Sequence, residues 1–570
     1  MHACLGLSWL GQCTYDPAAP ASIYFSPGAA IGALAFTLAV HQLLRPIYRF
    51  RLSARYLRVR HLYIVVFAAA GATLIAALVP NFPVLHGGPW GYAIVWEVLA
   101  TTLFVVAYGA VVLATVHPIR VRPRRIVQFA RGVATLLSAA NETDHTDLVD
   151  DLTGSLPTII KAASFGEHQQ TTAFFDFIHR KEIERASYAF TLLRVIADPL
   201  FCATLVKRAP WRVALMLKEI SAKRLHSRAA EQFVRELAHQ AIIRDDSMMT
   251  REIGYHGFGT APLLSDSLFS DPFILIVYDP FHTFFAAGSD ATVGPLLGRF
   301  NSAAERCYTT LIEEGHVYEA QAAFSIKEFY SSIFMKAYTF QKGTEYDHRA
   351  TIEMILAVRL ATRMANKLLA SVGETSYHAL FVSNSSVYRH DVLETLVEIV
   401  YEALTSIGNS FRGVDDPFWM LAIGVMHDVF HSVGDQPDGM TPFQQRLALK
   451  LIRKLNENMR GFYPAVSRVL LVTVGPYHHR AGQPNRTAFN ILKDAVYVAL
   501  RRLPQLARTK PDKIEDYLAP NVAYRPETSQ LVHTYRGGAQ NITDLLALNV
   551  PAFSIISSRL RRGLTDNERR

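Results

Sequence analysis

Lysine is absent from the first 141 residues of this 570-residue chain, where only Asp16 and Glu97 stand as acids against eleven arginines. That imbalance accounts for the whole formal charge of +9, so the rest of the chain is electrically balanced. A balanced body lacks the overall electrostatic footprint of a nucleic-acid binder, and nucleic acid is not expected as a partner. Cysteine is scarce, four in 570. That excludes a disulfide-built scaffold, and no Cys-x-x-Cys pair is available for a zinc ribbon or redox centre. No Gly-x-Ser-x-Gly elbow or kinase motif set occurs. In GPYHHRAGQPNRT, Gly482 is followed by Gln483 where a phosphate-binding loop needs lysine. No cofactor is predicted.

The first quarter holds long apolar runs. They cover 27–44, 62–79 and 91–116, with Glu97 as the single charged side chain among them. A bilayer core of about 30 Å needs about 20 apolar residues in helical form. The predicted N-terminal region is therefore a tail over 1–25 and a three-helix transmembrane bundle over 26–117, followed by a basic juxtamembrane helix over 118–141. The connection between the first two runs carries Arg45, Arg49, Arg51, Arg55, Arg58 and Arg60. The connection between the second and third, PNFPVLHGGPW, carries no charge, and Arg120, Arg122, Arg124 and Arg125 follow the third. Arginine gathers on the cytoplasmic side of membranes. The alternation places the N-terminus outside and the C-terminus in the cytoplasm of a multi-pass protein, expected in a bacterial inner membrane. The same arginines are expected to contact anionic lipid headgroups.

Within the runs, Gly28 and Gly32 make a Gly-x-x-x-Gly stripe, and Ala68, Ala72 and Ala76 a second one. Such stripes let helix backbones approach closely, within one bundle or between copies, so self-association through the spans or a protein partner is expected. His41 and Glu97 are the ionisable groups inside the runs, a functional signal by default. Cys4 and Cys13 lie in the outer tail, where a disulfide can form, whereas Cys202 and Cys307 lie in the reduced compartment.

From residue 142 onward helical rhythm dominates, so the fold class is mainly α. The expected body is an irregular stack of helical hairpins with few or no strands, divided into helical domains over 142–343 and 344–570. ETDHTDLVDD (142–151) reads as a solvated junction. FILIVY (273–278) and RVLLVTVG (468–475) fit either a strand or a buried helical turn.

Two patterns carry chemistry. His427 and His431, one helical turn apart beside Asp428, have the spacing of a zinc-binding pair, with His478 and His479 as distant candidates to complete it. Aspartate stands where the zinc-protease pattern has glutamate. Arg251 and His256, in REIGYH, resemble the Arg-x4–6-His pattern of an all-α ribonuclease superfamily, the higher-eukaryote-and-prokaryote nucleotide-binding fold. That resemblance covers six residues and implies an arginine orienting phosphate and a histidine in acid–base cleavage. The leading expectation is a non-enzymatic protein whose three spans tether a helical sensing or scaffolding body. The rivals are a membrane-tethered hydrolase, nuclease or metal-dependent, and a stimulus-gated effector that assembles a pore, as in antiviral abortive responses.

Overall fold

The computed structural model describes residues 2–3, 12–13, 45–54, 59–78, 93–139, 142–169, 180–254, 262–287, 294–316, 321–341, 348–371, 391–410, 417–431, 441–458, 465–474, 503–509, 522–537 and 540–547, with a few single positions between 492 and 518. The described chain is mostly helical. It divides into two compact units, residues 1–237 and 238–570. The boundary read between 343 and 344 lies between two long helices of the second unit.

In the first unit, a short helix α1 (Pro46–Ala54) precedes two apolar helices, α2 (Val59–Leu78) and α3 (Ala93–Val116). A single turn of tighter helix at Pro123–Arg125 leads into α4 (Ile126–Ala139), followed by α5 (Glu142–Thr153), α6 (Leu156–Gln169) and α7 (Arg180–Ile196). Then come α8 (Pro199–Arg208), α9 (Pro210–Ala222) and α10 (Arg228–Ile243), the last of which runs across the division at residue 237. Prolines set the breaks: Pro199 and Pro210 each occupy a first helical position, and the Asp198 carboxylate caps α8 by accepting from the amides of Leu200 and Phe201.

Helices α2 and α3 pack antiparallel, with Val66 near the start of one against Ala107 in the later half of the other. The buried residues of the pair are mostly small, Ala69, Ala70, Ala72, Thr73 and Ala76 in α2 and Ala100 and Ala107 in α3, with Glu97 also buried. Ala68, read into the small-residue stripe, is exposed instead. One stretch, Ala93–Leu113, is long and apolar enough to cross a membrane, while the apolar part of α2, Tyr63–Ala76, is shorter. The predicted three-span bundle is thus corrected among the described residues to a single span candidate beside a shorter apolar helix. Residues 27–44, with Gly28, Gly32 and His41, lie outside the described residues, as do Cys4 and the side chain of Cys13.

The second unit comprises α11 (Met248–Gly254), α12 (Leu263–Phe269), α13 (His282–Ala287), α14 (Gly294–Glu313), α15 (Gln321–Gln341) and α16 (His348–Ser371). It continues with α17 (Val392–Ser410), α18 (Pro417–His431), α19 (Pro442–Asn458), α20 (Ala465–Val474) and α21 (Leu503–Thr509). Aromatic rings fill its core, with Phe300 stacked on Phe329 at 3.8 Å between centroids and Phe281, Phe284 and Tyr330 around them. Both ambiguous apolar runs are helical. Ile274–Tyr278 forms a π-helical turn, stopped by Asp279 in the left-handed region (φ 44°), and 468–474 belongs to α20. The few strands form a meander that the sequence reading did not place. β1 (Val522–Arg525), β2 (Gln530–Gly537) and β3 (Gln540–Ala547) pair antiparallel with Tyr524 opposite Leu531 and Thr534 opposite Thr543. A two-residue ladder also joins His2–Ala3 to Gln12–Cys13.

Candidate functional site

The acidic run ETDHTDLVDD forms most of α5, and its spacing decides its role. Asp144, Leu148, Asp151 and Ser155 recur at three- and four-residue intervals, so they share one helix face. All four are buried. The solvated junction read from the sequence is therefore corrected: one face of α5 is a docking surface for arginines.

Those arginines come from α1 and its first flank. Arg45 donates through Nε to Asp144 Oδ1 at 3.0 Å, and its Nη2 lies 3.0 Å from Asp147 Oδ2. Arg51 donates through Nε to Asp151 Oδ2 at 2.9 Å and through Nη2 to the Asp147 carbonyl at 3.0 Å. The arginines are six residues apart and Asp144 and Asp151 seven apart, spans of about 9 and 10 Å along a helix. Two matched pairs therefore hold the segments side by side and parallel. Burial opposes the charge on Arg45, but the hydrogen bond to Asp144 and the negative charges of Asp144 and Asp147 outweigh it and raise its pKa.

Asp151 makes a second connection. Its other oxygen accepts the amide of Ile119 at 2.5 Å, and Ser155 Oγ both donates to the Ile119 carbonyl and accepts from the Val121 amide, each at 3.1 Å. One carboxylate, fully buried, thus ties together the segment before α2, the segment after α3 and the body helix α5. Below α1, Ile47 and Phe50 are buried, with the Phe50 ring 5.3 Å from that of Phe129. Gly132 makes this approach feasible, since a Cβ there would sit 2.6 Å from the Phe50 ring.

Sequence alone assigns ten arginines to topology and lipid contact, and the structure sorts them. Arg51 is corrected: it is 5% exposed, because its charge is matched by Asp151 inside the protein. Arg45 is half-buried and turned to the aspartates. Arg49, Arg120, Arg122 and Arg124 are exposed, and Arg125 is half-buried with Nη1 donating to the Ala54 carbonyl at 3.1 Å. Arg55, Arg58 and the side chain of Arg60 lie outside the described residues. A recess of about 250 Å³ opens beside this junction, lined by Ala54, Pro118, Arg120, Arg122, Arg125 and Phe129 among others.

The other candidates gather less. His427 is exposed, with its Nδ1 3.9 Å from Asp428 Oδ1. The side chain of His431, together with His478 and His479, falls outside the described residues. Among the described residues no three His, Cys, Asp or Glu side chains are placed to hold a metal ion. Arg251 is exposed on the last turn of α11, and His256 lies outside the described residues. In the second unit an ion-pair ladder joins three helices. Arg446 and Lys450 of α19 reach Asp391, Glu394 and Glu398, and Lys327 of α15 reaches Glu398 and Glu402 of α17. It is a half-exposed network of the kind that orients packed helices.

The residues missed from sequence are Asp144, Asp147, Asp151 and Ser155. Their signal was the match in spacing to Arg45 and Arg51. The chain matches no protein-family model, no curated protein and no solved structure.

Proposed function

We propose that this is a membrane-anchored protein whose apolar N-terminal helices tether a helical cytosolic body, with the Arg51–Asp151 junction transmitting displacement between the two. The observation that carries this proposal is the inside-out character of the α2–α3 hairpin. Its exposed face presents Phe67, Leu74, Val98, Val105, Val106 and Leu113, with Val105 64% exposed, while Glu97 is turned inward at 6%. A helix that is apolar all round belongs in a core or a membrane. Soluble proteins rarely leave a contiguous apolar surface of this kind facing water. The arginine-rich, uncharged, arginine-rich alternation supports a cytoplasmic C-terminus.

In this reading the body is a sensor or scaffold. A ligand or partner that shifts α5 moves Asp151, and with it both segments entering the apolar helices. Extraction of membranes with alkaline carbonate tests the anchor: the full chain should stay in the pellet and be released by detergent. Release by carbonate alone would remove the membrane proposal. A reporter active only in the cytoplasm, fused after Arg131, should work; activity of a periplasmic reporter at that position would reverse the orientation.

A further inference from the structure

We infer that the recess beside the junction is a discrete binding site for a phosphate group, formed by Arg120, Arg122 and Arg125. Three arginines and no acid line its volume of about 250 Å³, which is ample for a tetrahedral oxyanion. Arg120 and Arg122 are exposed, and Arg125 is half-buried with Nη1 donating to the Ala54 carbonyl. Guanidinium groups recognise phosphate through paired N–H donors with a rigid geometry. Ala54, Pro118, Ile119, Val121 and Phe129 complete the lining, so the site is built from the end of α1, the segment leaving α3 and the start of α4.

The backbone between the arginines gives occupancy a consequence. Ile119 and Val121 alternate with Arg120 and Arg122, and they bond inward to Asp151 and Ser155. The same segment, residues 118–122, therefore lines the recess and at the same time holds the buried junction through its backbone. A phosphate drawing Arg120 and Arg122 together rigidifies the strand-like stretch that holds Asp151.

Two sources share this chemistry: the headgroup of an anionic phospholipid and a soluble phosphate compound. That the lipid lies within reach rests on the membrane proposal, whereas the anion site itself does not. The test uses the full chain with two probes. One is thermal stability in phosphatidylcholine nanodiscs with and without phosphatidylglycerol. The other is titration of detergent-solubilised protein with inorganic phosphate against chloride at matched ionic strength. R120Q and R122Q change exposed residues of the lining, and R124Q removes an equal charge that does not line the recess.

Stabilisation by phosphatidylglycerol that falls about tenfold or more in midpoint for R122Q, with less than about a twofold change for R124Q, supports a headgroup site. The same ranking with inorganic phosphate supports a site for a soluble phosphate compound, and that arm stands even if the chain proves not to be a membrane protein. Equal losses in R122Q and R124Q would reduce the effect to diffuse charge and overturn the site. So would the absence of stabilisation by both probes.

Discussion

Helices α3 and α17 are both long and rich in aliphatic residues, yet they are turned opposite ways. α17 buries Leu393, Leu396, Val397, Val400 and Ile407 and sends Glu394, Glu398 and Glu402 to the ion-pair ladder. α3 buries Ala100, Ala107 and its one acid, Glu97, and leaves Val98, Val105, Val106 and Leu113 outside. The first is the arrangement water imposes, with charge out and hydrocarbon in. The second is the arrangement lipid favours, with small residues at the helix seam and charge turned toward protein. α5 differs from both, since its acidic face is buried because arginines arrive from the apolar region to meet it.

The sharpest way to break this contrast is to cut the tie at its base. Asp151→Ala leaves the Arg51 guanidinium buried without its carboxylate and the Ile119 amide without its acceptor. The expected loss is about 3–5 kcal/mol, read as a fall in the melting temperature of the full chain in detergent. The double variant R51M/D151L should recover much of it, since a buried pair replaced by apolar residues is often close to neutral. An unchanged melting temperature in D151A would leave the junction with no coupling role.

Next in size is a charge placed on the outer face of α3. Val105→Arg should cost about 2.5–3.5 kcal/mol of insertion if that face meets lipid, seen as a smaller carbonate-resistant fraction. On a water-facing helix the same change would fall within about 0.5 kcal/mol and leave fractionation untouched.

A smaller effect is expected where α1 sits on α4. Gly132→Ala places a Cβ 2.6 Å from the Phe50 ring, and Phe129 limits how far that ring can retreat. The expected cost is about 1–3 kcal/mol by thermal unfolding, partly relieved by Phe50→Leu. If G132A alone were neutral, α1 would be free to shift, and it could not relay displacement.

Much of this was legible in the sequence, and the rest was hidden for physical reasons. Helix starts at Pro417 and Pro442 follow from proline at a first helical position. The mainly α class follows from 3.6-residue periodicity in segments such as 392–407. The strand or helix choice for FILIVY was not legible, since a short apolar run has no period to read. The meander escaped although Gly537 and Gly538 stand between its second and third strands, a turn signal in the sequence. The Asp151 junction was hidden because its partners lie 32 and 100 residues away. Local composition makes an acidic run look solvated, and only the face it shares with Leu148 and Leu152 marks it as buried.

The last and smallest effect sharpens the water-facing side of the comparison. Glu402 lies on α17 between Ser331, whose hydroxyl donates to it, and Lys327, whose Nζ is 3.6 Å away. Burial pushes its pKa up, and the Ser331 bond and Lys327 offset only part of that, so the net shift is upward from 4.5. A raised folded-state pKa means that the folded chain holds this proton more firmly than the unfolded chain. Its contribution is therefore favourable on the acid side and is lost as pH climbs from about 4.5 through the folded value. Glu402→Gln removes the titration. Its melting temperature relative to the native chain should be level or lower at the acid end and rise toward neutral pH, by no more than about 2 °C. Lys327→Met should act in the opposite sense, because Glu328, Glu398 and Glu402 lose their shared cation. That variant should lose stability toward neutral pH, and a flat profile in both variants would remove Glu402 from the pH response of the second unit.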